Sequence, residues 1–269
     1  MSAPSVIRDV VFSTIPGYRP LALDLHLPGV DPGANGAAPV ILFVHGGGWR
    51  LGSRAAFTPT ISTAESFGRI TEAGIAVVSV DYRLSGEAVF PAQVDDVRSA
   101  LAWIREHADE FALDAARIVL WGESAGATLA ALVGLEPTSG VLGVVDWYGP
   151  SDLIAMAELA PDEAAVSREG QWLGTSALDD TELARAASPA YAVHSDAPPF
   201  FVAHGSADQF VPISQSERLT DALREQGVEV RFTTVEGANH MWRDIPDPAA
   251  LVEPALAFAA GLFASEIVG

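Results

Sequence analysis

Two residue types are missing from this chain of 269 residues: cysteine and lysine. Without thiols there are no disulfides, no thiolate nucleophile and no cysteine-ligated metal. All 15 basic residues are arginines, set against 35 acidic ones, and the formal net charge is −20. A surface of that sign repels nucleic acid and anionic membrane, so polyanionic partners are not expected. The abundance of Ala, Gly and Pro attributes the acidic, lysine-free composition to high-GC codon usage rather than to salt adaptation. The 6 histidines lack metal-ligand spacing, so neither a metal nor another cofactor is expected. No stretch reads as a long uninterrupted apolar run, and Met1 to Asp9 shows no basic segment leading into an apolar one. The expectation is therefore a cytoplasmic protein without a membrane span. As a monomer or homodimer, it would act on a small molecule.

What is present is an alternation of strand and helix patterns. Val6 to Ile15 and Arg19 to Leu27 flank the turn residues Pro16, Gly17 and Tyr18, which predicts an antiparallel hairpin. Val40 to Val44, Ile75 to Val80, Ile118 to Trp121, Val141 to Tyr148, Pro199 to His204 and Glu229 to Val235 are continuous apolar or β-branched runs. Such runs suit strands buried on both faces of a parallel sheet. Between them lie helical patterns over 60–73, 91–111, 125–135 and 214–226, and a last apolar one over 248–267. The expected fold class is α/β: a mostly parallel twisted sheet with helices on both faces, formed by residues 1–150 and 189–269 as a single domain. Residues 151–188 break the alternation with short helical stretches. They are expected to form a small helical lid over the carboxyl ends of the strands, where open α/β sheets bind ligands.

The most informative stretch is Gly122-Glu123-Ser124-Ala125-Gly126, a Gly-x-Ser-x-Gly pentapeptide between a β-branched run and an alanine-rich helical pattern. This strand–turn–helix context is that of a nucleophile elbow, with Ser124 at the apex. A serine hydroxyl needs a neutral imidazole as base and a carboxylate to orient it. His45, His204 and His240 all follow predicted strands and could reach the elbow. His26, His107 and His194 do not, and His26 and His107 read as surface residues. Asp208 follows a strand through the turn Gly205-Ser206, so Ser124, Asp208 and His240 form the catalytic set in the chain order Ser…Asp…His. Glu236 and Asp244 are fallback acids, less favoured because they lie so near His240 along the chain.

The glycine run after the first buried strand, His45-Gly46-Gly47-Gly48, can expose backbone N–H groups with no side chain in the way. Gly46 and Gly47 from one side and Ala125 from the other are the expected oxyanion hole. Trp49, Tyr148, Trp172, Phe210 and Trp242 border these motifs or lie in the lid, and are expected to line an apolar, aromatic substrate pocket. Asp81 and Arg83 read as a structural ion pair at a strand end.

Together, His-Gly-Gly-Gly-Trp, Asp-Tyr-Arg, Gly-Glu-Ser-Ala-Gly, Asp208 and His240 resemble the α/β-hydrolase carboxylesterases and lipases. The likeness is to hormone-sensitive-lipase-like enzymes and to small bacterial feruloyl or acetyl esterases, and it spans about residues 40 to 245. It implies a Ser-Asp-His triad acting on carboxylic esters, with short-chain acyl or aryl groups expected, and no cofactor. The N-terminal segment is too short for the helical cap of the hormone-sensitive-lipase group, which favours the smaller relatives. Glu123 reads either as support for the site from beneath or as a buried, hydrogen-bonded carboxylate, the latter preferred. Amide hydrolysis, as in arylformamidases or small peptidases, and a non-catalytic ligand-binding role stay open as alternatives.

Overall fold

The computed structural model describes residues 4–29 and 36–265. Eight strands build one sheet: β1 (Ser5–Ser13), β2 (Leu21–Leu27), β3 (Ala38–Val44), β4 (Ala76–Val80), β5 (Leu113–Glu123), β6 (Gly143–Trp147), β7 (Phe200–Gly205) and β8 (Val230–Val235). Their order is β1-β2-β4-β3-β5-β6-β7-β8. The expected hairpin of β1 and β2 is antiparallel, and β2 also runs antiparallel to β4. From β4 to β8 every pairing is parallel. Residues 30–35, between β2 and β3, and the last two residues of the expected C-terminal helix lie outside the described residues.

The apolar runs work as two-sided strands because alternate side chains leave opposite faces. Val40, Leu42 and Val44 of β3 and Ile118 and Leu120 of β5 enter one hydrophobic cluster. Ile41 and Phe43, with Val119 and Trp121, enter the cluster on the other face. Helices α1 (Ala92–Glu106), α2 (Ala125–Gly134) and α3 (Ser214–Glu225) contribute to the first cluster, and α4 (Val252–Ser265) to the second. The stretch Pro248–Ser265 is long and apolar enough to cross a membrane by length and composition, although Glu253 interrupts its apolar run. Its side chains Val252, Ala255, Phe258, Ala259 and Phe263 pack against the sheet.

Residues 151–188 form the short helices Leu153–Glu158, Arg168–Leu173 and Thr181–Ala186 and the 3-10 turn Pro161–Glu163. The side chains of Asp152, Ser167 and Asp180 each accept a bond from a backbone N–H of the turn that follows, as good N-caps do. The segment is tied down at its start and again at Trp172. Gln215 Oε1 accepts from the N–H groups of Ser151 (2.9 Å) and Asp152 (2.8 Å), and Phe90 N–H donates to the carbonyl of Trp172 (2.8 Å). Leu153, Trp172, Leu173 and Ala184 are buried in the main core cluster, so the segment is welded to the domain.

Two sequence expectations change here. Arg83 turns from Asp81 to the buried Asp96 of α1, whose carboxylate accepts both its guanidinium (2.8 Å) and its backbone N–H (2.8 Å). Asp81 pairs instead with Arg54, which also holds Asp24 at 2.8 Å. His26 is buried rather than on the surface, its ring 4.7 Å from that of Phe67, because β2 is an interior strand covered on both faces.

The elbow is set by backbone packing. A Cβ on Gly126 would lie 2.1 Å from the carbonyl oxygen of Val44, and one on Gly122 would lie 2.3 Å from that of Gly126. Gly126→Ala is expected to destabilise the fold by about 3 kcal/mol or more, because the obstacles are backbone atoms of the central strand. Urea unfolding measures this; a change below about 0.5 kcal/mol, typical of an indifferent site, would contradict the close approach.

Candidate active site

Ser124 sits between β5 and α2 with φ 51° and ψ −123°, a backbone conformation that side chains rarely adopt. Such a residue costs about 1–3 kcal/mol and persists only where its surroundings over-determine it. Here the close approach at Gly122 and Gly126 and the bond from Ser124 N–H to the carbonyl of Trp147 (2.8 Å) do so. Trp49, Tyr148, Met241 and Trp242 also have positive φ. Backbone strain thus gathers in the loops at the carboxyl ends of the strands, around the same serine.

The three residues expected to act together are brought together. Ser124 Oγ is 3.0 Å from His240 Nε2, and His240 Nδ1 is 2.7 Å from Asp208 Oδ2. A carboxylate accepts from Nδ1–H and so fixes the tautomer that leaves Nε2 free to accept the serine proton. Asp208 is held in turn: its Oδ1 accepts from the N–H groups of Phe210 (2.8 Å) and Val211 (2.9 Å). Burial alone would raise its proton affinity, but bonds from His204, His240 and the Val211 N–H outweigh it and hold the carboxyl well below the ordinary range. The fallback acids Glu236 and Asp244 are exposed and take no part.

The other two histidines of the strand-end loops have structural work. His204 is fully buried, and its Nε2 lies 2.9 Å from the Val211 carbonyl and 3.4 Å from Asp208 Oδ2. A carbonyl can only accept, so Nε2 carries the proton and Nδ1 accepts from the Ser216 hydroxyl at 2.7 Å. His204 therefore backs Asp208 from below. His45 stacks on Tyr82 with ring centroids 4.4 Å apart, and burial pushes its pKa down to about 4, so it is neutral at ordinary pH. Its Nδ1 bonds the Gly46 carbonyl at 2.7 Å and shapes the start of the glycine loop.

That loop corrects one expectation. The Gly46 N–H donates to the buried carboxyl of Glu123 at 3.3 Å and so is turned beneath the loop. Gly47 (φ 119°) and Gly48 (φ 60°) need conformations that glycine supplies, and their N–H groups bond no backbone or side-chain acceptor among the described residues. Ala125 opens α2, so its N–H has no partner within the helix. Glu123 is the buried, hydrogen-bonded carboxyl that its position in the motif suggests. Tyr148 Oη–H donates to it at 2.6 Å, and burial pushes its pKa up to about 7.

A cavity of about 180 Å³ opens over Ser124 and His240. Its walls include Gly46, Gly47, Gly48, Phe210, Met241 and Leu51, with Arg50 and Arg168 beside them. Of the five expected pocket aromatics, only Phe210 lines it. Trp49 and Trp172 stack on each other at 4.3 Å and are buried, with Trp172 Nε1–H donating to Gln93 at 2.9 Å. Trp242 is buried against Trp147 and Tyr148, and Tyr148 supports the site from beneath, 4.8 Å from the His240 ring. These aromatics are foundation rather than wall: Trp49, Tyr148 and Trp242 sit at positive φ in loops that fold their side chains inward, and Trp172 packs on Trp49 from the insertion. Arg50, Leu51 and Arg168 had no sequence signal beyond lying next to the glycine run or within the insertion.

The model of the BD-FAE family matches residues 23–223, most of the chain and the elbow with it. The chain belongs to the BD-FAE family. Esterase LipQ of Mycobacterium tuberculosis is 35% identical over 240 residues, covering 84% of this chain and 55% of LipQ. This chain thus spans about half the length of that curated relative. Among solved structures, a truncated carbohydrate esterase from gut microbiota superposes with a TM-score of 0.80 at 24% identity, covering 96% of both chains, which shows a shared fold. Esterase Est2 of Thermogutta terrifontis gives a TM-score of 0.73 at 25% identity over 98% of this chain and 92% of Est2. The BD-FAE chain is an α/β-hydrolase, as its motifs and mostly parallel sheet imply.

The raised pKa of Glu123 has a consequence for stability. Its carboxyl holds a proton up to about pH 7 in the folded BD-FAE protein, against an ordinary value of 4.5. Between those values the folded state binds a proton that the unfolded state has lost, so stability falls as pH rises. The isosteric Glu123→Gln variant has no such proton. Its stability relative to wild type is expected to rise by about 3 kcal/mol between about pH 5 and pH 8. Asp146, whose pKa burial raises to about 6, contributes equally to both proteins and cancels. Urea unfolding at the two pH values provides the check, and a pH-independent difference would contradict the assignment.

Proposed function

We propose that this protein is a serine carboxylesterase acting on small esters with short acyl or aryl groups. The observation that carries the reading is the continuous relay Ser124–His240–Asp208, at 3.0 and 2.7 Å, on the floor of an open cavity. Ser124 Oγ attacks the ester carbonyl carbon while His240 Nε2 takes its proton, and Asp208 stabilises the imidazolium that forms. The N–H groups of Gly47 and Ala125, with Gly48 beside them, hold the oxyanion. Gly46 supports that loop through Glu123 instead of donating to substrate. His240 then gives its proton to the leaving alcohol, and water repeats the sequence to release the acid and restore Ser124.

A volume of about 180 Å³ is small beside the roughly 300–1,000 Å³ of drug-sized sites, which supports a short acyl group. The names of LipQ and Est2 as esterases support an ester over an amide as the substrate. The helical segment 151–188 serves as a fixed wall through Arg168 rather than as a mobile lid, supported by its ties to Gln215, Phe90 and Gln93.

Ser124→Ala removes the nucleophile and is expected to lower kcat/KM for an aryl acetate by about 10³-fold or more, with the fold intact by circular dichroism. The wild type should cleave the aryl acetate far faster than the matching anilide. Undiminished turnover in the variant, or a preference for the anilide, would overturn the reading.

A further inference from the structure

Resting on the esterase reading, we propose that the substrate carries a carboxylate, received by Arg50 and Arg168 at the mouth of the cavity. In a chain with 35 acidic and 15 basic residues, carboxylates outnumber arginines more than twofold. Most arginines accordingly hold one: Arg19, Arg54, Arg83, Arg98, Arg117 and Arg218 are examples. Arg50 and Arg168 reach no carboxylate within 4.0 Å among the described residues, and both border the cavity that contains Ser124. They come from separate parts of the chain, one from the turn after the glycine run and the other from the helix Arg168–Leu173.

Arg168 is held in place. Its stem crosses the glycine loop, its Cδ lying 2.7 Å from where a Cβ on Gly48 would be. Its guanidinium lies over the Phe210 ring, 4.9 Å from the centroid, and that ring is 5.6 Å from the His240 ring. The charge is thus two ring contacts from the His240 imidazole, on the wall of the same cavity. A guanidinium stacked on an aromatic face keeps its N–H fork free for a planar anion.

The other charges around the cavity do not fill this role. Glu123 lies on the wall, but it is bonded by Tyr148 and Gly46 and its raised proton affinity lessens its charge. Asp208 lies behind His240. Glu169 borders the adjoining hollow with Arg50 and Arg168 without pairing to either. The overall charge of −20 is screened beyond about 8 Å at physiological ionic strength, whereas a direct guanidinium contact is not. The same field penalises a dianion about twice as much as a monoanion, which favours a carboxylate over a phosphate.

Four esters test this. On the acyl side, a monoaryl adipate is compared with its methyl ester; on the alcohol side, 4-acetoxybenzoate is compared with methyl 4-acetoxybenzoate. In at least one pair, wild type should prefer the charged ester by about tenfold in kcat/KM, and the pair that responds shows which end of the substrate meets the arginines. The Arg50→Gln/Arg168→Gln double variant should lose that ratio, and added salt should lower it in wild type. Charged-to-neutral ratios at or below one in both pairs, or a ratio unchanged by the double substitution, would overturn the proposal while leaving the esterase reading standing. No turnover of any of the four esters by wild type would overturn both.

Discussion

The close passage of backbone at the elbow is the constraint on which the rest depends. Strand β5 and helix α2 meet with no room for a Cβ at Gly122 or Gly126, and the carbonyls of Val44, which ends β3, and of His45 just after it press on the same turn. The backbone between them can close only by placing Ser124 at positive φ, which projects its hydroxyl out of the sheet toward the loops that follow β7 and β8. The relay partners of Ser124 and the glycine loop are positioned relative to that projection. Asp208 follows β7, His240 follows β8, and the glycine loop follows β3, so each arrives at the same end of the parallel sheet by virtue of strand direction.

Around this geometry the protein separates its buried carboxyls by environment. Asp208 receives N–H groups from Phe210, Val211, His240 and His204, so it stays ionised despite burial. Glu123, directly before the nucleophile, has fewer partners and holds its proton to near neutrality. The contrast suits their places: an ionised orienter belongs behind the imidazole, whereas a full negative charge beneath the glycine loop would oppose the developing oxyanion. Glu123, itself bonded by Tyr148, takes up the Gly46 N–H, while Gly47 and Gly48 keep theirs without a bonded acceptor among the described residues.

Much of this was legible in the order of residues. The parallel sheet followed from apolar runs whose alternate members belong to two cores, and the triad followed from a serine, an aspartate and a histidine each placed just past such a run. That the Gly46 N–H is taken up inside the protein was not legible, because its acceptor is the Glu123 carboxyl, 77 residues away along the chain. The aromatic pocket was misread. Trp49, Tyr148 and Trp242 follow strand ends and Trp172 lies in the insertion, but all four are buried, where large side chains fill the space under the loops. Arg168 carries no signal in the sequence because the insertion has no periodic pattern long enough to say which of its side chains face the site. Asp81 and Arg83 do not pair for a similar reason: closeness along the chain suggests a pair, but Asp96 of helix α1 accepts from both the guanidinium and the backbone N–H of Arg83.

The central claim is that Ser124 is a nucleophile activated by His240, and covalent trapping addresses it most directly. Treatment with a dialkyl fluorophosphate followed by peptide mass spectrometry should place one dialkylphosphoryl group on Ser124 of the wild type. The rate of labelling should fall by about 10³-fold in His240→Asn, which lacks the base but leaves the serine in place. A label on another residue, or equal labelling rates in the two proteins, would contradict the account.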